Sequence, residues 1–465
     1  MAAAAETAAV RSFSRDWPVT AAGHSPLIRA VKTGLLLSTR HMQKSALSAL
    51  GRRTETPPVS WLMATALAKP RLISLAAGFT DNPTLPVREA REAFSELLRS
   101  RRAGQAALQY GSTAGDPALR RITSERFRWL DRAKAGEPAY SPERMVITNG
   151  SQQMLYMVAE ALCDPGDIVL VEDPTYFVLL GILQSHALGA RGIRLQNDGL
   201  DLAHLETVLQ RLKRTGELRR VKMLYLVSYF QNPTGTTTSF EKKVGALELL
   251  RHYERAAGHP IYLLEDAAYR ELRFGATDIK SALAAPGFSE RVVCTGTYSK
   301  PFATGIRVGF GLLPEPLLSA VQRIKGNHDF GTSNSLQHLL ARVIESGRYE
   351  AHLAHLRRRY RRKAQVMLEA MRQHFPASVS WREPQGGLYV WARLPAHVKS
   401  GVDSELFRAA LAKEVIYVPG RLCYAKDPTR RQLDREMRLS FGAATEANIR
   451  TGIARLGAAM QELPG

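Results

Sequence analysis

Lys300 lies in Thr297-Tyr298-Ser299-Lys300-Pro301, and Arg307 follows seven residues later in Gly305-Ile306-Arg307-Val308-Gly309-Phe310. A primary amine able to form an imine, with hydroxyls beside it and an arginine nearby, suits an aldehyde that also carries a phosphate. Pyridoxal phosphate is such a cofactor. Its chemistry makes three further demands: an acid for the pyridine nitrogen, a donor for the ring phenolate and an anchor for an amino-acid carboxylate.

Each demand has a candidate. Asp266 ends the run Ile261-Tyr262-Leu263-Leu264-Glu265-Asp266, and a carboxylate held against a pyridine nitrogen keeps that nitrogen protonated. Glu265 is a rival, but strand alternation points it to the opposite face. Asn232, in Gln231-Asn232-Pro233-Thr234-Gly235, can donate to a phenolate oxygen, and Tyr269 can do so from the other side. Asn-Pro-Thr-Gly by itself is an ordinary turn. The spacing alters that reading: Asn232 to Asp266 and Asp266 to Lys300 are each 34 residues, long enough for one strand–helix–strand return.

Gly150-Ser151-Gln152-Gln153 joins a strand to a helix, where backbone amides and the Ser151 hydroxyl form a phosphate cradle; simple N-capping by Ser151 is compatible with this. Ser299 and Arg307 would complete the phosphate contacts, Arg307 through charge-assisted hydrogen bonds. Tyr176, in Asp173-Pro174-Thr175-Tyr176, is either a ring-stacking residue or a core aromatic. Tyr110, in Leu108-Gln109-Tyr110-Gly111, either reaches a phosphate or belongs to the core. Arg438 stands mid-strand in Glu436-Met437-Arg438-Leu439-Ser440-Phe441 and needs an anion: a substrate α-carboxylate, or an internal Asp or Glu.

These residues need strand ends to hold them. From Arg144 the chain alternates apolar runs (Met145 to Thr148, Ile168 to Val171, Ile193 to Leu195, Met223 to Val227, Ile261 to Glu265, Val292 to Thr295, Val308 to Leu312) with helical patterns at 151–162, 177–184, 202–213 and 240–257. Fully apolar strands alternating with helices imply an α/β fold with a mainly parallel sheet covered by helices on both faces. In such sheets ligands bind beyond the carboxyl ends of the strands; Lys300, Asp266, Asn232, Gly150 and Asp173 all fall there. After about residue 330 long helices (350–375, 444–462) and strands at 387–394 and 436–441 predict a smaller α+β domain. The expected division is 1–40 as an N-terminal extension, 41–84 with 331–465 as the small domain, and 85–330 as the large domain.

At 465 residues two domains are the prior. No apolar run reaches the roughly 18 residues of a membrane span. Cys163, Cys294 and Cys423 are too scattered for a metal site and read as core thiols in a reducing compartment. The net charge of +21 raises nucleic acid as a partner. It is mostly arginine on helices, and its densest run, Arg357 to Lys363, reads as a solvated helix face. Residues 1–40 are Ala-rich with Arg11, Arg15, Arg29, Lys32 and Arg40; this is an import segment or an extension, with Met42 an alternative start. The compartment reading is cytoplasmic, with import as the alternative.

Together, Leu108-Gln-Tyr-Gly, Asn149-Gly-Ser-Gln-Gln, Asp173-Pro-Thr-Tyr, Gln231-Asn-Pro-Thr-Gly, Glu265-Asp-Ala-Ala-Tyr, Tyr298-Ser-Lys and Arg438-Leu-Ser-Phe resemble, in their order, the fold-type I pyridoxal phosphate aminotransferases of class I/II, in the 2-aminoadipate and kynurenine branch. The resemblance spans about residues 42 to 460. It implies that Lys300 binds the cofactor aldehyde, Asp266 the ring nitrogen, Asn232 and Tyr269 the phenolate oxygen, and that Tyr176 stacks on the ring. It implies phosphate contacts from Gly150, Ser151, Gln152, Ser299 and Arg307, with Tyr110 joining across a homodimer interface. Arg438 would take the α-carboxylate under a loop at Gly78, and Gly386-Gly387 and Val418-Pro419-Gly420 imply a mobile small domain. Two runs depart from the branch, Ala76-Ala77-Gly78-Phe79-Thr80-Asp81 and Pro301-Phe302-Ala303-Thr304, so the specificity of named relatives does not transfer. The expected reaction is ping-pong transfer of an amino group from an L-amino acid to a 2-oxo acid such as 2-oxoglutarate, without metal, nucleic acid or membrane. The rivals are a lyase, decarboxylase or oxidase of the same fold, and an aminotransferase-like transcriptional regulator, for which the first 40 residues are too few to hold a DNA-binding domain.

Overall fold

The apolar runs assemble into an eight-stranded sheet in the order Met145–Thr148, Gly309–Leu312, Val292–Thr297, Tyr262–Asp266, Val221–Val227, Ile168–Asp173, Gly189–Gln196, Gly199–Leu200. The computed structural model describes residues 46–69 and 71–463. The stretch expected as an extension, 1–40, and Met42 lie outside the described residues.

Neighbours from Val292–Thr297 across to Gly189–Gln196 are parallel. Gly309–Leu312 runs antiparallel to both its neighbours, and Gly199–Leu200 antiparallel to Gly189–Gln196. Every residue of Met145–Thr148, Tyr262–Asp266 and Val292–Thr297 is buried. Because successive side chains point to opposite faces, both faces of the sheet are covered. Helix Gly150–Leu162 packs on Val292–Thr297 and Gly309–Leu312.

Local signals set several bounds. Helix Phe240–Ala257 starts where Ser239 Oγ accepts from Lys242 N at 3.3 Å and stops at Gly258, whose φ of 81° closes a left-handed cap. Residues 73 to 75 are stitched to the C-terminal part: Ile73–Ser74 pairs in parallel with Val415–Ile416, and Ser440 N donates to Leu75 O at 2.7 Å, whereas Arg53 bonds to Gln184 and Ser185 of helix Phe177–Ser185. The second sheet is antiparallel, in the order Ser380–Trp381, Tyr389–Arg393, Glu436–Ser440, Val418–Pro419. Helices Arg348–His374 and Glu446–Gln461 pack against each other.

The run Arg357 to Lys363 is not simply a solvated face. Tyr360 and Lys363 are fully buried, and Lys363 Nζ lies 2.7 Å from Asp81 Oδ1. Arg359 Nε lies 3.0 Å from Asp81 Oδ2, and the Tyr360 hydroxyl accepts from Asp81 N at 3.3 Å. A helix presents its inward stripe every three to four residues whatever the side chain, so a lysine in that stripe must bury its charge against a carboxylate. The three cysteines are free, with Cys294 and Cys423 buried, and no described helix is long and apolar enough to cross a membrane.

Candidate active site

Parallel strands end together, so the turns that follow them meet. Strands Val221–Val227, Tyr262–Asp266 and Val292–Thr297 are successive neighbours. Beyond their carboxyl ends is a cavity lined by Ser151, Gln152, Tyr176, Asn232, Asp266, Tyr269, Ser299, Lys300 and Arg307, enclosing about 540 Å3 with its open mouth included. Its floor is buried and its rim exposed: Asp266 and Asn232 are buried, whereas Gln152 and Arg307 are exposed.

Asp266 is the last residue of its strand. Burial pushes its carboxyl up to about 6, while the Ala268 N–H and the Tyr225 hydroxyl, each donating at 3.0 Å, pull the other way. A cation facing it would relieve that cost. Glu265 points to the other face, as alternation requires, and pairs with Lys243 at 2.8 Å with both side chains fully buried. Behind Asp266, Glu172 accepts from Val227 N at 2.9 Å and Gln231 Nε2 at 2.8 Å, and burial raises it to about 8.

Lys300 Nζ donates to Gly78 O at 2.7 Å. Its pKa is lowered, first by burial; Arg438 and Arg307 add to the fall, and Tyr389 and Asp266 oppose it. The amine is therefore biased toward its nucleophilic form.

The rim is built for an anion. Gly150 opens helix Gly150–Leu162 with φ of 72°, and a Cβ there would stand 2.6 Å from Arg307 Nη2. Glycine alone lets the guanidinium approach the helix start. Asn149 leaves that N-terminus without a side-chain cap, because its amide donates instead to Asp329 at 2.7 Å. Arg307, itself left-handed at φ of 50°, donates to Ser299 Oγ at 3.2 Å. Helix dipole, free amides, hydroxyls and guanidinium converge as a phosphate requires.

Arg438 is buried, with only 3% of its surface exposed. It donates to Asn232 Oδ1 and to Ala76 O, both at 2.7 Å, and its Nε has no partner. Among the described residues no carboxylate pairs with it. Its guanidinium lies 4.3 Å from the Tyr389 ring centroid and 5.4 Å from that of Phe177. A buried cation held by two carbonyl oxygens and two ring faces lacks an anion of its own.

The chain matches the aminotransferase class I and II family model over residues 70–456. It is a class I and II aminotransferase. Over 402 residues it is 35% identical to 2-aminoadipate transaminase of Thermus thermophilus, covering 85% of this chain and 91% of that protein. Over 392 residues it is 33% identical to aromatic-amino-acid aminotransferase 1 of Thermococcus litoralis, covering 84% and 88%. The crystal structure of Pyrococcus horikoshii kynurenine aminotransferase superposes with a TM-score of 0.81 at 30% identity, covering 90% of this chain and 97% of that one. The aminotransferase has the fold-type I architecture, and its activity is pyridoxal phosphate-dependent amino group transfer.

Of the residues expected at the site, the cavity collects Ser151, Gln152, Tyr176, Asn232, Asp266, Tyr269, Ser299, Lys300 and Arg307. Gly150, Gly78 and Arg438 adjoin it through Arg307, Lys300 and Asn232 respectively. Tyr110 does not join: it is 84% exposed, its ring edge-on to Phe330 at 5.5 Å. Asp173 turns away as well, bonded to Arg430 and to Ala425 N.

Two residues of this aminotransferase escaped the sequence reading. Tyr225 donates to Asp266, and Tyr389 touches Tyr269, whose hydroxyl lies 3.0 Å from its own. Gly386-Gly387 flagged the neighbourhood of Tyr389, but only strand register shows that it shares a face with Arg438.

Proposed function

We propose that the aminotransferase binds pyridoxal phosphate with its phosphate on Gly150, Ser151, Gln152, Ser299 and Arg307, its ring under Tyr176, its phenolate oxygen facing Asn232 and Tyr269, and its ring nitrogen on Asp266. When bound, the cofactor supplies the aldehyde that receives the amino group and a ring that withdraws electrons from Cα. The observation that carries the reading is the placement of a buried carboxylate, an amine with lowered proton affinity and a guanidinium at a helix start around one cavity.

Arg438 binds the substrate α-carboxylate, which gives its Nε the partner it lacks. Asn232 holds the guanidinium in plane from one side and the Tyr389 ring supports it from another. Lys300 Nζ takes the proton from Cα, aided by burial and by the cations Arg438 and Arg307. Asp266 stays ionised once a cation faces it. The amino group of an L-amino acid stays on the enzyme and passes to a second oxo acid, 2-oxoglutarate, in ping-pong order.

The working form is a cytoplasmic homodimer in which Tyr110 serves the partner's phosphate site. Exposed Leu108, Tyr110 and Phe330 lie together, next to Asp329, which takes hydrogen bonds from Asn149 and Gln153 at the start of helix Gly150–Leu162. Residues 41–84 and 331–465 act as the smaller domain that moves over the substrate.

Holoenzyme is assayed with each L-amino acid and 2-oxoglutarate, reading glutamate. Wild type is expected to turn over at least one donor, and Lys300→Ala to lose both turnover and the imine absorbance that the loaded wild-type protein shows. Turnover retained in Lys300→Ala would overturn the assignment.

A further inference from the structure

Tyr389 stands where three parts of the site meet. Its hydroxyl is 3.0 Å from that of Tyr269, with the rings edge to face at 76°. A Cβ on Gly78 would lie 2.9 Å from the same oxygen, so the loop whose carbonyl receives Lys300 passes against it. The Arg438 guanidinium rests 4.3 Å from its ring centroid. Tyr389 opens strand Tyr389–Arg393 and pairs with Ser440, two residues from Arg438 on one face. It is 2% exposed, so little room is left for it to move.

The side chain thus has two separable handles. Its ring face is a platform for the guanidinium, and its hydroxyl is a partner for a phenol. We propose that Tyr389 is a positioning residue that holds Tyr269 and Arg438 at a fixed spacing and, by donating to the Tyr269 oxygen, leaves Tyr269's own proton for the cofactor phenolate. The reverse arrangement would spend Tyr269's proton on Tyr389 and leave the phenolate a donor short. Linked hydroxyls polarise one another, so Tyr269 donates more strongly with Tyr389 behind it. This inference rests on the site assignment above.

Two variants separate the handles. Tyr389→Phe keeps the ring and removes the hydroxyl; Tyr389→Leu removes both. The first measurement needs no substrate: the visible absorbance of the holoenzyme is titrated against pH. A weaker donor at the phenolate leaves that oxygen more basic and the group beside it protonated to higher pH. The midpoint is therefore expected to rise in Tyr389→Phe. The second measurement follows the half-reaction with L-glutamate by absorbance. Tyr389→Phe is expected to slow it by about tenfold, the scale of one hydrogen bond, with KM within about twofold. Tyr389→Leu is expected to raise KM as well, by about tenfold, because Arg438 loses its platform.

An unchanged midpoint in Tyr389→Phe would reduce Tyr389 to a space-filling residue and overturn the inference. Failure of the parent assignment looks different: Lys300→Ala would then keep the imine absorbance of wild type and its turnover. If wild type ignores L-glutamate, the choice of oxo acid fails, and the pH midpoint alone still decides Tyr389.

Discussion

Asp266 carries a charge that the fold alone does not support. Burial raises its carboxyl from 3.8 to about 6, so without a facing cation the folded chain binds a proton that the unfolded chain releases at lower pH. Stability of the cofactor-free protein is then expected to fall as pH rises from about 4 through about 6. Asp266→Asn removes this loss. Its cofactor-free form should match wild type near pH 4 and exceed it at pH 7 by at most about 3 kcal/mol in urea unfolding. With cofactor the order reverses in function, and kcat of Asp266→Asn is expected to drop on the order of 10²–10³-fold. That Asp266, Asn232 and Lys300 meet at one cavity was readable in the sequence because polar groups with distinct chemistry interrupt or end apolar runs. Tyr225 and Tyr389 were not. An aromatic inside a strand pattern looks like core until the register shows which face it shares and with whom.

At the scale of elements, the helix start and the loop over Lys300 bear the stricter requirements. Gly150→Ala forces a side chain into φ of 72° and against Arg307. The expected outcome is at least about a tenfold weaker cofactor dissociation constant, by absorbance titration, with a loss of only about 1 kcal/mol in unfolding of the cofactor-free protein. The Gly78 loop is anchored at Asp81 by buried Lys363 and by Arg359. Removing that carboxylate in Asp81→Asn strands a buried ammonium, and a loss of about 3–5 kcal/mol in urea unfolding is expected. Helix 240–257 could be bounded from sequence because Ser239 and Gly258 mark both ends. The antiparallel course of Gly309–Leu312 could not, since an apolar run carries no sign of its direction. The Asp81 anchor was hidden for a related reason: a dense basic run looks solvated until its periodicity is laid on a helix with a known inward face.

For the whole molecule, the question is whether one chain completes its own site. Tyr110 lies outside the cavity on an exposed apolar surface, as expected of a residue whose motif implies a place in the site of a second copy of the chain. Sedimentation velocity of the holoenzyme is expected to show a dimer, and Tyr110→Ala to weaken cofactor binding without weakening substrate binding; a fully active monomer would remove Tyr110 from the site. The most direct test of the account concerns the amine itself. Holoenzyme is reduced with borohydride, digested and mapped by mass spectrometry. The expected result is one modified peptide with the cofactor's mass fixed on Lys300. A label on any other lysine, or none on Lys300 in protein that turns over, would contradict the central claim.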